Sequence, residues 1–194
     1  MPAQLLDGNL LSGHTYTQLG NATTGNTVVF NATNTGADTI LGGTGNDLVQ
    51  FAKVAYMALE SSINGGAGTN TIAFTSGTVT STDAQWTKVS NIQTLTLGGV
   101  GGDSIDLSTT AFAAGLTSIT GGTGADTINV LKAPTNGLTF NASAGGGGVS
   151  LLGSWMGSAA LQAPGGESRN FGVFGERKTV LQTGKIPRSD AGIA

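Results

Sequence analysis

Four aspartates in this chain, Asp38, Asp47, Asp103 and Asp126, stand at one position of a recurring glycine-rich pattern. The pattern is Gly-Gly-x-Gly-x-Asp-x-U-x, with U a large apolar residue. It is complete at 42–50 (GGTGNDLVQ), 98–106 (GGVGGDSID) and 121–129 (GGTGADTIN). A fourth copy, 65–73 (GGAGTNTIA), carries Asn70 in place of the acid. A fifth, 33–41 (TNTGADTIL), lacks the first two glycines, keeps Gly36, Asp38 and Ile40, and runs directly into the copy at Gly42. Carboxylates set among glycines suit the holding of a hard cation. Calcium takes about six to eight oxygen ligands. Glycine reaches backbone conformations closed to other residues, so a turn built from it can curl with its carbonyls inward. The aspartate adds a carboxylate oxygen and negative charge, and the U residue (Val49, Ile105, Ile128) anchors the turn in the core. The candidate metal site therefore comprises Asp38, Asp47, Asp103 and Asp126 with Gly36, Gly42, Gly43, Gly45, Gly98, Gly99, Gly101, Gly121, Gly122 and Gly124. A whole site needs two turns stacked one above the other, which couples binding to folding. The bland alternative at each position is a turn aspartate bonding its own backbone. Asn70 reads as a stacked turn residue, and Asp106 as a strand residue on the surface.

The spacing of the copies says what must position them. Gly98 follows Gly42, and Gly121 follows Gly65, by the same interval, 56 in sequence number. The intervening segments repeat as well. Phe51 aligns with Leu107, Tyr56 with Phe112, Ala58 with Ala114 and Ile63 with Ile119. A duplicated unit of this kind points to a solenoid. The predicted fold is all-β, a right-handed parallel β-solenoid of the β-roll or β-helix kind with short helical corners.

Local patterns fill in this outline. Strands are predicted at 27–30, 91–97, 104–107, 116–120, 127–131 and 138–141, where apolar and polar residues alternate or a short apolar run lies between turns. Residues 51–60 form a helical corner and 81–89 a second, capped by Ser81 or Thr82. Trp86, Tyr56 and Phe112, at or near the corners, read as packing residues. The segment 1–22, with Leu5, Leu6, Leu10 and Leu11, reads as an N-terminal cap, 23–144 as the solenoid, and 145–194 as a glycine-rich linker and a loosely ordered basic tail.

Composition narrows the function. Residues 1–144 hold eight acids and three bases, and 145–194 three acids and five bases. The acidic part lacks the basic stripe of a nucleic-acid binder. With no cysteine in the chain, disulfides, thiolate zinc sites and cysteine nucleophiles are excluded. The single histidine, His14, reads as a surface residue near the terminus, so no Ser-His-Asp set is arguable. No stretch approaches the length of a membrane span, and the first residues lack the features of a signal peptide.

The copies at 42–50, 98–106 and 121–129 resemble the hemolysin-type, or RTX, calcium-binding repeats of bacterial secreted proteins. The wider pattern, with a strand of the Asn91-Ile-Gln-Thr-Leu-Thr-Leu97 type before a glycine turn, is similar to bacterial surface-layer and adhesin-like proteins. The resemblance covers roughly residues 25–131. It implies a non-enzymatic segment at the cell surface or outside the cell, exported by type I secretion and folding on Ca2+, with self-association or a cell-surface glycan as partner. The chain departs from that family in having only 33–50 in tandem, and in a basic C-terminus where a type I signal is usually acidic or neutral. Two other readings stand beside it: the non-catalytic module of an exported hydrolase or protease, and an ice-binding solenoid. For the last, the run Gly43-Thr-Gly-Asn-Asp47 is of a suitable kind, but one copy makes no array.

Overall fold

A computed structural model describes residues 25–30, 37–75, 77–99, 101–132, 134 and 136–141 with their side chains. Beyond these it describes the strand backbones at 5–7, 15–16, 149–153, 159–162, 169–173 and 180–183. Gly36, His14 and most of the proposed N-terminal cap lie outside the described residues.

In chain order the elements are β1 (Leu5–Asp7), β2 (Thr15–Tyr16), β3 (Thr27–Phe30), β4 (Thr39–Leu41), β5 (Leu48–Phe51), helix α1 (Val54–Leu59), β6 (Ser62–Asn64), β7 (Thr71–Phe74) and β8 (Thr80–Ser81). A 3-10 helix (Asp83–Trp86), β9 (Val89–Ser90), β10 (Thr94–Leu97), β11 (Ser104–Leu107), α2 (Thr109–Ala113), β12 (Ser118–Thr120), β13 (Asp126–Val130) and β14 (Leu138–Asn141) follow. The series ends with β15 (Val149–Gly153), β16 (Ala159–Gln162), β17 (Arg169–Val173) and β18 (Val180–Thr183). The fold is all-β, with strands in parallel sheets and a few short helices. One sheet has nine strands in the order β1-β3-β5-β7-β10-β12-β14-β16-β18. A four-stranded sheet, β2-β4-β6-β9, and a five-stranded sheet, β17-β15-β13-β11-β8, take the intervening strands. The strands β15 to β18 therefore continue both larger sheets past Ala144, where no glycine repeat marks the sequence. The rest of the expected loose tail lies outside the described residues.

Side chains alternate across each strand, so every second residue enters the core. On the nine-stranded sheet the inward column is Val28, Val49, Ile72, Leu95, Ile119 and Phe140, all buried, each one circuit of the chain after the last. A second column, Phe30, Phe51, Phe74 and Leu97, runs beside it. The rings of Phe30 and Phe51 stack at 4.9 Å and 11°, and Phe74 tilts onto Phe51 at 6.3 Å. Burying each such side chain contributes about 1.5–3 kcal/mol. The helical corners set the length of the circuit. The step from Asn26 to Asp47, with no helix among its described residues, is 21 in sequence number. The step from Asp47 to Asn70, around α1, is 23, and that from Gln93 to Thr117, around α2, is 24. Trp86 is buried in the core, and Tyr56 and Phe112 pack against it, as their places at the corners predict.

The duplication lands on different sheets. Val49 and Ile72 lie in β5 and β7 of the nine-stranded sheet, whereas their counterparts Ile105 and Ile128 lie in β11 and β13 of the five-stranded one. The interval between the copies is not a whole number of circuits. The duplicate therefore pairs into a different sheet.

Asp83 joins two corners. Its carboxylate accepts hydrogen bonds from the backbone N–H groups of Ser108 (2.8 Å), Thr110 (3.1 Å) and Ala111 (2.9 Å), the first turn of α2 one circuit on. Burial pushes its pKa up, but these bonds and one with the Thr110 side chain outweigh it and hold the carboxyl below the ordinary aspartate value. Asp83→Ala is expected to cost about 1 kcal/mol in urea unfolding at neutral pH, as for a lost helix cap. The folded-state pKa is depressed, so this contribution is present above the unfolded aspartate value, about 3.9, and is lost as pH falls through the folded one. The gap between variant and wild type should narrow on acidification.

Candidate metal centre

Each glycine turn feeds a strand, so the aspartate two residues before an inward apolar side chain also faces inward. Asp38, Asp47, Asp103 and Asp126 are all buried, as is Asn70. The sheets bring these turns together in two stacks. The turn 42–47 lies on 65–70, and the turn 98–103 lies on 121–126.

The stacks explain why the pattern needs glycine. A Cβ on Gly42 would stand 2.6 Å from Asp47 Oδ2, and one on Gly121 2.8 Å from Asp126 Oδ2, because the acid folds back over the first glycine. A Cβ on Gly122 would stand 2.6 Å from the Gly99 carbonyl of the neighbouring turn, and Gly124 meets the Gly101 carbonyl closer still. The stacking is held by backbone bonds, Ala67 N–H to Gly43 O and Thr123 N–H to Gly99 O, both 3.0 Å.

In the first stack both oxygens of the aspartate have protein donors. Asp47 Oδ1 accepts from the backbone and side-chain N–H groups of Asn26, each at 2.8 Å, and Oδ2 accepts from Gly43 N–H at 2.9 Å. Asn70 continues the column. Its Oδ1 accepts from Asp47 N–H at 2.9 Å, and its Nδ2 donates to Asn91 O at 2.9 Å and Gly66 O at 3.4 Å. Gln93 Oε1 then accepts from Asn70 N–H at 2.8 Å. The amide nitrogen of Asn70 thus holds carbonyls together by hydrogen bonding, as a cation would by coordination. This stack does not fit a metal.

The second stack carries two acids where the first has one, and Val79 where the first has Asn26. Asp103 Oδ1 accepts from Val79 N–H at 2.6 Å, and Asp126 accepts from Asp103 N–H (3.1 Å) and Gly122 N–H (3.0 Å). Asp103 Oδ2 is buried with no hydrogen-bond partner. Burial, and then the charge of Asp126, push the pKa of Asp103 up against the bond from Val79; burial likewise raises that of Asp126 against its two backbone bonds. Two stacked, buried carboxylates, one with an unmet oxygen, fit a divalent cation supplying positive charge and accepting that oxygen. Among the described residues no group of three or more His, Cys, Asp or Glu side chains gathers to hold a metal, so such an ion would draw its remaining ligands from turn carbonyls or water.

Asp38 lies in a third place, just before β4. Its backbone N–H donates to Glu60 Oε2 at 2.9 Å, and both residues are fully buried. Glu60, Asn26 and Gln93 were not foreseen from the sequence. The signal that finds Asn26 and Gln93 is the spacing itself: Asn26, Asp47, Asn70 and Gln93 each precede an inward apolar residue by two and follow one another at near-constant steps, a series to which Glu60 does not belong. Asp106 stands on the outer side of β11, bonded by Asn129 Nδ2 at 2.6 Å, apart from the turns.

Comparison with protein-family models, curated proteins and solved structures finds no match to this chain. Among the described residues no helix is long and apolar enough to cross a membrane.

Proposed function

We propose that this chain is a right-handed parallel β-solenoid of a secreted or cell-surface protein, without enzymatic activity of its own, that completes its folding on binding Ca2+. The near-constant circuit length and the all-parallel pairing support the solenoid. The observation that carries the metal reading is the buried pair Asp103 and Asp126 with the unmet Oδ2. When bound, the ion supplies compensating charge to these carboxylates. The chain's own part is to hold the turns in register, exclude water and present the oxygens. Without metal, repulsion and desolvation oppose closure of that stack. Far-UV circular dichroism during calcium titration of the chelator-treated chain tests this. A gain in β-signal with calcium and none with magnesium is expected; a spectrum indifferent to calcium sinks the reading.

A second reading, ice binding, has its own observation. On the outer side of the nine-stranded sheet Thr71, Thr94, Ser118 and Thr139 align in one column, with Thr96 and Thr120 side by side in the next. All six are half-buried. Spacings of about 4.8 Å between strands and about 6.8 Å between alternate residues make an uncharged hydroxyl array suited to ordered water. These are not the threonine of the Gly43–Asp47 run. Thermal hysteresis abolished by Thr94→Tyr supports this reading, and its absence in the wild type removes it.

A further inference from the structure

We infer that the two stacks of turns close by different means: 42–47 on 65–70 without metal, through a ladder of amides, and 98–103 on 121–126 only around a divalent cation. The inference rests on the calcium reading above and adds a division of labour within it.

The two stacks share glycine spacing and turn-to-turn backbone bonds, but Asp47 takes Asn26 Nδ2 and Gly43 N–H where Asp103 has the Val79 N–H alone, and the side chain of the upper turn differs as well. In the first it is Asn70, whose Oδ1 takes the N–H of Asp47 and whose Nδ2 bridges Gly66 O and Asn91 O. A neutral amide offers both a donor and an acceptor, so the position is satisfied within the protein. Asn26 below and Gln93 above extend the same use of amides, leaving Asp47 as the single acid in a column of four, with both its oxygens bonded. In the second stack the equivalent residue is Asp126. An ionised carboxylate is acceptor only and can take the N–H of Asp103, but has nothing to donate. The acid beneath it keeps a buried oxygen unmet. Leaving such a group unmet costs free energy that closure of this stack must overcome.

The consequence is an order of assembly. The circuits carrying the first stack, which also hold the stacked rings Phe30 and Phe51, form a metal-independent base. The circuits from Gly98 onward are added to it when the cation arrives.

Hydrogen exchange of the full chain, read by mass spectrometry in chelator, in calcium and in magnesium, separates the stacks. Peptides covering 42–75 are expected to be protected in all three conditions. Peptides covering 101–130 are expected to slow by about tenfold or more with calcium alone, at concentrations ten times the dissociation constant. The reciprocal variants make the cause explicit. Asp126→Asn leaves a single acid in the second column, as in the first, and should abolish the calcium gain at 101–130. Asn70→Asp copies the second and should make protection of 42–75 depend on calcium. Equal calcium gains in both stacks of the wild type overturn the division and leave the calcium reading standing. No gain in either stack overturns both. If Asp126→Asn fails to fold, Asn70→Asp decides, and protection of 42–75 in chelator unchanged by it overturns the inference.

Discussion

Gly124→Ala is expected to destabilise the stack of turns that begins at Gly98 by about 3 kcal/mol or more, because a rigid backbone group must move to admit the methyl. The new Cβ would lie inside the van der Waals envelope of the Gly101 carbonyl and 2.7 Å from Gly102 N. No flexible side chain is there to give way. Gly124 lies outside the left-handed region of backbone space, so the cost is steric and comes from the neighbouring turn. Gly77→Ala is the matched control. Nothing lies within 4 Å of a Cβ built there, and a change within about 0.5 kcal/mol is expected, as at an unencumbered surface site. Urea unfolding of both variants checks the contrast. Equal midpoints would mean that the turns do not stack as described.

Phe51→Ala is expected to cost about 3–5 kcal/mol, the range for emptying a large aromatic site in a packed core. Phe51 is fully buried between Phe30 and Phe74. Removing it takes the middle ring out of the column. Its neighbours belong to one continuous buried cluster and are held by the strands on either side, so the gap closes poorly and the loss should sit near the upper end. Leu131→Ala, at a residue 61% exposed, serves as control and should change little. A loss below about 1 kcal/mol for Phe51→Ala would contradict the column, since even Ile→Val in a core costs about that much.

Much of this structure is legible in the residues. Alternation at Thr94-Leu-Thr-Leu97 and the Gly-x-Asp-x-U turns give the strands and their inward faces, because parity along a strand is a local property. The burial of all four repeat aspartates follows from the same parity. What the sequence hides is register. Which residue lies above Asp47 depends on the length of the circuit, and that length changes with the helix at each corner. The duplication therefore suggests a repeat on one side where the structure sets the copies on two sheets. The roles of Asn26, Gln93 and Glu60 are hidden for the same reason: each acts on a residue one circuit away. In the sequence Asn70 reads as a stacked turn residue standing in place of the acid, with no partner assigned to it. In the structure its amide both donates and accepts, and it completes the ladder that Asp126 cannot.

Calorimetric titration of the chelator-treated chain with calcium tests the central claim most directly. Saturable binding is expected, lost in Asp126→Asn. The raised pKa values of Asp103 and Asp126 add a second signature. A group whose folded-state pKa is raised takes up a proton at a higher pH than an ordinary aspartate, so on acidification protons compete with the metal sooner. Affinity should therefore fall on acidification. A chain that takes up no calcium at neutral pH, or an Asp126→Asn variant that binds as the wild type does, would contradict the account.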